Sequence, residues 1–125
     1  MRAPANRYDA LSLVNTFLGM AIDAKKNALC LKNAHAGLSN PAIPALIALR
    51  MVHQVAHAVN IPVVGMGGIT SAEDTLKFLM AGAVAVQVGT MTFADPAVML
   101  SIIDGLTDYC ESEGFAELAG DRPLL

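Results

Sequence analysis

The sequence predicts an α/β fold in which parallel strands alternate with helices. Three apolar runs, Asp9–Val14, Ile61–Met66 and Val84–Val88, have the length and composition of buried strands. A helical pattern follows each run, in the first case after a long loop, and such alternation implies right-handed βα units on a parallel sheet. Hydrophobic residues make up 54% of the chain and charged residues 15%, as expected for strands that helices cover.

Composition and residue spacing also argue against several functions. No window approaches the ~20 uninterrupted apolar residues of a membrane span, and the net charge of −3 comes without a basic patch for nucleic acid. Cys30 and Cys110 lie too far apart for metal-ligand spacing, and reduced thiols indicate a cytoplasmic protein. His53 and His57 share a helix face, but Gln54 stands where a zinc protease has glutamate. We therefore expect no membrane, nucleic acid or metal.

The first part of the chain is predicted to be one strand followed by an irregular connection. Met1–Tyr8 shows no pattern and is expected to lie outside the domain or to be disordered. The strand Asp9–Val14 ends at the polar pair Asn15-Thr16. Within the connection Phe17–Asn33, two apolar segments flank the polar Asp23–Asn27, which predicts a hairpin excursion.

The longest helix is predicted over Pro41–Val59. Apolar residues recur there every four positions and form a stripe that would face a core, namely Ile43, Ile47, Met51, Val55 and Val59. The strand that begins at Ile61 follows this helix directly.

A second helix is predicted over Ser71–Ala81. Thr70 and Glu73 have the spacing of a capping box at its start. Gly82 is expected to end it in the left-handed conformation.

A third helix is predicted from Asp95-Pro96 to about Ser112. The pair combines a capping aspartate with a proline at the first helical position. Gly114 is expected to end this helix.

Two glycine turns follow neighbouring strands of the predicted sheet. Gly67-Gly68 lies between the strand at Ile61 and a helix start, and Gly89-Thr90 follows the next strand. Glycine lets backbone N–H groups approach an anion closely, and a helix N-terminus adds partial positive charge. Because the two strands are expected to be parallel and adjacent, the turns should meet at one sheet edge. Paired turns of this kind form the usual phosphate site of (βα)8 barrels.

A series of motifs occurs in order from about Asp9 onward: Ala10 to Thr16, Gly19 to Asp23, Gly37 to Ser39, Pro41 to Ile43, Ile61 to Gly68, Ala81 to Ala83 and Val86 to Thr90. Together they resemble the C-terminal part of class 1 dihydroorotate dehydrogenases, most closely the NAD-linked class 1B. The resemblance implies that residues 1–125 form one partial domain, the C-terminal portion of a (βα)8 barrel, comprising about three βα units. It also implies FMN-dependent oxidation of dihydroorotate to orotate, a step of pyrimidine biosynthesis.

The resemblance also implies roles for individual residues. Gly67 and Gly68 would hold the FMN phosphate from one side, and Gly89 and Thr90 from the other. Asn40 stands where the family has a glycine that touches FMN, and its side chain could crowd that approach.

Further implied roles concern the flavin ring and the substrate. Val14 would lie against the flavin, while Asn15 and Thr16 would hydrogen-bond the pyrimidine ring of dihydroorotate or orotate. Neither Cys30 nor Cys110 matches the family's catalytic cysteine, so no catalytic residue is assigned. The chain alone is not expected to oxidise dihydroorotate.

Partners follow from the resemblance and from the sheet. Class 1B enzymes work with an iron–sulfur and FAD electron-transfer subunit. Three strands also leave one sheet face bare, formed by Leu11, Leu13, Val63, Val86 and Val88 or by their neighbours of opposite parity. We therefore expect a homo-oligomer or a complementing chain. Two alternatives stay open, namely an inactive truncated product or interaction fragment, and another FMN-binding or phosphate-binding barrel with different chemistry.

Overall fold

The computed structural model describes residues 8–26, 28–29, 36–38, 42–116 and 118 of the chain. In this part of the chain a three-stranded parallel sheet packs against helices, and two short antiparallel pairs lie apart from the sheet. The elements are β1 (Leu11–Leu13), β2 (Phe17–Gly19), β3 (Ile22–Asp23), β4 (Ala28–Leu29), β5 (Ala36–Leu38), α1 (Ala42–Ala58), β6 (Val63–Met66), α2 (Ala72–Met80), β7 (Ala85–Gln87), α3 (Met91–Ala94) and α4 (Val98–Glu113).

The parallel sheet has the order β1-β6-β7, with β6 in the centre. Leu11 lies opposite Val63, and Gly65 lies between Leu13 on one side and Val86 on the other. Both strand pairs are parallel, which confirms the predicted βα arrangement.

Helices α1 and α2 cover one face of this sheet, and α4 packs on α2. Phe78 of α2 is 2% exposed and lies directly over Gly65, where a Cβ atom would come 2.5 Å from the Phe78 ring. Gly105 has the same role between helices, because a Cβ atom there would lie 2.7 Å from Cβ of Ala72. The buried core consists of Ala48, Val52, Val63, Ile69, Phe78, Ala81, Ala83, Val98 and Ile102.

The opposite face of the sheet is the one left uncovered by the described helices. The sequence left open whether the bare face carries Val63 and its neighbours of the same parity or the residues of opposite parity. The structure shows the latter, because Val63 is buried in the core and Leu13, Val86 and Val88 pack against it. The neighbours of opposite parity are half-buried or exposed, and they are Ser12, Val64, Met66, Ala85 and Gln87. The bare face is therefore more polar than the first alternative would have made it.

The N-cap of helix α2 lies one residue later than predicted. Ser71, not Thr70, is the N-cap, and its Oγ accepts a hydrogen bond from the Asp74 N–H at 3.1 Å. The capping box predicted from Thr70 and Glu73 is therefore wrong by one position. Gly82, with φ of 103°, follows the end of the helix, as predicted, and its N–H donates to the Leu79 carbonyl at 3.0 Å.

The last helix begins at Val98 rather than at Pro96. The Asp95 carboxylate accepts a hydrogen bond from the Ala97 N–H at 2.9 Å, so the aspartate forms a turn that precedes the helix. The short helix α3 just before this turn is not predicted by the sequence pattern. Gly114, with φ of 72°, ends α4 as expected.

The connection after β1 contains the predicted hairpin. Strand β3 pairs antiparallel with β4, and the Asp23 carboxylate accepts hydrogen bonds from the N–H groups of Lys25 and Lys26 at 3.0 and 3.2 Å. Outside this hairpin, β2 and β5 form a second antiparallel pair that the sequence did not predict.

Candidate functional site

The predicted site residues follow the C-terminal ends of the three parallel strands. Asn15 and Thr16 follow β1, Gly67 and Gly68 follow β6, and Gly89 lies two residues beyond β7. The three strands run parallel in neighbouring positions, so these loops lie at the same edge of the sheet. This edge is where open α/β sheets and barrels bind their ligands.

The turn after β6 requires glycine for reasons of backbone geometry. Gly67 has φ of 116° and Gly68 has φ of 76°, conformations that side chains rarely tolerate. A Cβ atom on Gly67 would also lie 3.3 Å from Cγ2 of Val14 and 3.4 Å from Cβ of Ala48. The Val14 N–H donates to the Met66 carbonyl at 2.8 Å. The end of β1 is thereby held directly against the glycine turn.

The turn after β7 is open. A Cβ atom placed on Gly89 would meet no atom within 4 Å. The Gly89 carbonyl accepts hydrogen bonds from the Thr92 N–H at 2.9 Å and from Thr92 Oγ1 at 2.7 Å. Gly89 is exposed, and a side chain at this position would project into open space.

Hydrogen bonds tie Thr70, two residues after Gly68, to the start of α2. The Asp74 carboxylate oxygen Oδ2 accepts from the Thr70 N–H at 3.1 Å and from Thr70 Oγ1 at 2.9 Å. Burial by itself would raise the pKa of Asp74, but hydrogen bonds from Thr70 and Ser71 and the charge of Lys77 together hold it below its ordinary value. Asp74 therefore stays ionised in neutral solution.

The polar pair after β1 is exposed. The Asn15 side-chain oxygen accepts from the Thr16 N–H at 2.7 Å and from Thr16 Oγ1 at 3.0 Å. Within the described part of the chain the Asn15 amide group Nδ2 donates no hydrogen bond, so its two N–H groups are available to an acceptor. A carbonyl or carboxylate oxygen of a ligand is such an acceptor.

A cavity of about 350 Å³ adjoins the first turn and was not anticipated from the sequence. It lies between α1 and α2, and its lining is mainly apolar apart from the residues at the start of α2. The lining residues are Ala45, Leu46, Leu49, Gly68, Thr70, Asp74, Lys77 and Phe78. No local sequence pattern could have revealed it, because the two helices that form it are separate along the chain.

Other candidate groups are placed as follows. Asn40 and Cys30 lie outside the described residues. On α1, His57 Nδ1 donates to the His53 carbonyl at 2.8 Å, so the helix backbone holds this ring nitrogen. Among the described residues no three histidine, cysteine or acidic side chains come together as metal ligands would, and no described helix is long and apolar enough to cross a membrane.

Comparison with known proteins gives a consistent result. The family model "Dihydroorotate dehydrogenase" matches residues 3–109. Dihydroorotate dehydrogenase B (NAD(+)), catalytic subunit, from Parabacteroides distasonis is 51% identical over 111 residues, which are 89% of this chain and 36% of that protein. The same subunit from Porphyromonas gingivalis is 54% identical over 110 residues, covering 88% of this chain and 36% of that protein.

The structural comparison agrees with the sequence comparison. The crystal structure of DHODH from Eimeria tenella, solved in complex with ferulenol, superposes with a TM-score of 0.67 at 25% identity. The match covers 85% of this chain and 28% of that one. This chain spans about a third of the length of the curated relatives it matches. Its fold is part of a (βα)8 barrel, as predicted, and the chain belongs to the dihydroorotate dehydrogenase family.

Proposed function

We propose that this chain supplies the phosphate side of an FMN site, and part of the adjoining pyrimidine site, in a barrel that oxidises dihydroorotate to orotate for pyrimidine biosynthesis. The observation that carries the proposal is the meeting of two glycine turns at one sheet edge. Gly67-Gly68 and Gly89-Thr90 follow neighbouring parallel strands, and the N-cap of α2, Ser71, lies three residues after Gly68. Because the chain belongs to this family, the expected anion is the phosphate group of FMN.

The residues at this edge fit the phosphate of FMN. Gly67 and Gly68 have backbone conformations that suit a turn presenting N–H groups to an anion, and the space beside Gly89 is open. Helix α2 has nine residues, long enough for its first N–H groups to add partial positive charge. Asn40 belongs to the same proposed site by resemblance.

The remaining site residues would contact the flavin ring and the substrate. Val14 is held against Gly67 and would pack on the flavin, while Asn15 and Thr16 would hydrogen-bond the pyrimidine. FMN, when bound, supplies the two-electron acceptor for the oxidation. The residues of this chain would bind FMN and the substrate and orient them toward each other. Since Cys30 and Cys110 do not match the family's base, we expect turnover only when another polypeptide segment supplies that group.

Partners follow from the relatives and from the surface. The relatives are named catalytic subunits, and we propose an iron–sulfur and FAD subunit as electron acceptor, in the cytoplasm. The exposed apolar residues Met99, Leu100 and Ile103 lie on α4, and the outer edges of β1 and β7 are unpaired within the described sheet. These surfaces are separate, because β1 and β7 lie at opposite edges of the sheet, and we propose that a second copy or a complementing chain covers at least one of them. A monomer at micromolar concentration in sedimentation, with no dye-detectable apolar surface, would contradict this.

An inactive interaction fragment, the alternative function, would use the same exposed surfaces but would need no flavin. Flavin binding therefore separates the two functions. The 125-residue chain is titrated with FMN and with riboflavin, which lacks the phosphate, and flavin fluorescence is followed. The proposed function predicts tighter binding of FMN than of riboflavin, whereas equal affinity or no binding favours the fragment.

A matched pair of variants sharpens this test. Gly68→Val and Gly114→Val both place valine at a positive φ, 76° and 72° respectively, so their backbone strain is similar. Only Gly68 adjoins the proposed phosphate position, and a side chain there would occupy the phosphate's place. We expect Gly68→Val to weaken FMN binding by about tenfold or more, with riboflavin unaffected. Equal FMN affinity in the two variants would contradict the phosphate site.

A further inference from the structure

Asp74 makes a connection that ordinary helix capping does not explain. In a capping box the N-cap side chain bonds the N–H three residues on, and that residue's side chain bonds the N-cap's own N–H. Ser71 and Asp74 make the first of these bonds. The Asp74 carboxylate, however, reaches past the N-cap and takes both the N–H and the hydroxyl of Thr70. Its hydrogen bonds therefore fix the loop rather than only the helix.

The position of Thr70 gives this connection its consequence. Thr70 lies two residues after Gly68, at the end of the turn that would hold the phosphate. With the Thr70 N–H committed to Asp74, the anion has to be bound by the other N–H groups of the turn and of the first turn of α2. Asp74 and Gly68 also line the same cavity. The carboxylate thus restrains the turn from its helix side.

A carboxylate near an anion site carries an electrostatic cost, and the surroundings reduce that cost. Lys77 Nζ lies 3.7 Å from Asp74 Oδ1 and 2.7 Å from Glu73 Oε1. The side chain of Asp74 is 25% exposed, whereas that of Glu73 is 78% exposed and makes no bond to the turn among the described contacts. Both acids lie near Lys77, but of the two only Asp74 bonds Thr70 among the described contacts, so Glu73 serves as the control.

We propose that Asp74 is a positioning residue that holds Gly67–Thr70 in the phosphate-binding conformation before a flavin arrives, and so favours FMN over riboflavin. This inference rests on the proposed function. It predicts that geometry, not charge, is what Asp74 contributes. Asparagine keeps an oxygen that can accept from Thr70 but removes the negative charge, whereas alanine removes both.

The first measurement is flavin affinity in the 125-residue chain. We expect Asp74→Ala to weaken FMN binding by about tenfold, which is the size of effect typical of losing hydrogen bonds to a charged group. The affinity for riboflavin should not change. Asp74→Asn and the control Glu73→Ala should keep FMN affinity within about twofold. If the wild-type chain prefers FMN and Asp74→Ala keeps that preference, the inference is overturned.

The second measurement needs no flavin. Amide hydrogen exchange at Thr70 should be faster in Asp74→Ala than in the wild-type chain and unchanged in Glu73→Ala. Equal protection at Thr70 in wild type and Asp74→Ala overturns the inference whatever the flavin result. If the wild type shows no preference for FMN, the proposed function is what fails, and this exchange measurement alone decides whether Asp74 restrains the turn.

A second variant covers the case in which Asp74→Ala does not fold. Thr70→Val removes the hydroxyl bond at 2.9 Å but keeps the N–H bond to Asp74. We expect a smaller loss of FMN affinity, about threefold, again without change for riboflavin. A loss of the same size for both flavins would show general destabilisation and would overturn the positioning role.

Discussion

The two glycine turns at the sheet edge look alike in sequence but differ in structure. The turn at Gly67-Gly68 has two positive φ angles, packs against Val14 and is tied to α2 through Thr70 and Asp74. At the second turn, a Cβ atom on Gly89 would meet nothing, and φ there is not in the left-handed region. The first turn needs glycine in order to fold. The second has no such need within the described chain, so the proposed FMN site is the only role for glycine there that these variants have to test.

The largest expected effect separates folding from binding. Gly67→Val should destabilise the chain by about 2–4 kcal/mol, because it adds backbone strain to a contact with Val14. Gly89→Val should change the free energy of unfolding by no more than about 0.5 kcal/mol, but it should still weaken the binding of FMN. Urea unfolding and flavin titration of both variants check this. Equal destabilisation by the two substitutions would remove the distinction between the turns.

A smaller effect should appear in the pH dependence of the first turn. Because the folded-state pKa of Asp74 is lowered, its contribution to stability is complete above the ordinary value of 3.8 and is lost as the pH falls below that value. Asp74→Asn has no such contribution, so its unfolding free energy should fall less steeply between about pH 5 and about pH 3. Urea unfolding across this range is the measurement, with Glu73→Gln as control. Parallel curves for wild type and Asp74→Asn would contradict the prediction.

The smallest effect concerns the hydrogen bond that shapes the second turn. Thr92→Val removes the bond from Oγ1 to the Gly89 carbonyl at 2.7 Å. Thr107→Val removes a comparable bond to the Ile103 carbonyl at 2.9 Å, far along α4 from the turn. Both variants should lose about 1 kcal/mol or less, but only Thr92→Val should weaken FMN, by about twofold to threefold. If the two variants bind FMN equally well, the shape of the second turn does not matter for binding.

The sequence by itself determined the order of the three parallel strands and the three longer helices, and the placement of the glycine turns. The apolar run Val84–Val88 and the apolar residues that recur every four positions in α1 indicate which residues prefer to be buried. Gly82 and Gly114 end their helices where the pattern indicated, because the left-handed conformation after a helix is a local requirement. The hairpin around Asp23 follows from the same kind of local signal.

The tertiary structure alone decided the features that depend on residues distant in sequence. The pairing of β2 with β5 joins segments separated by the β3–β4 hairpin. The bare face of the sheet was settled only when α1 and α2 packed on the face that carries Val63 and Gly65, with Phe78 of α2 over Gly65. Both the choice of Ser71 over Thr70 as N-cap and the reach of Asp74 to Thr70 depend on how the loop enters α2. Sequence patterns report which residues prefer burial or a turn, whereas packing decides which of several compatible partners each residue meets.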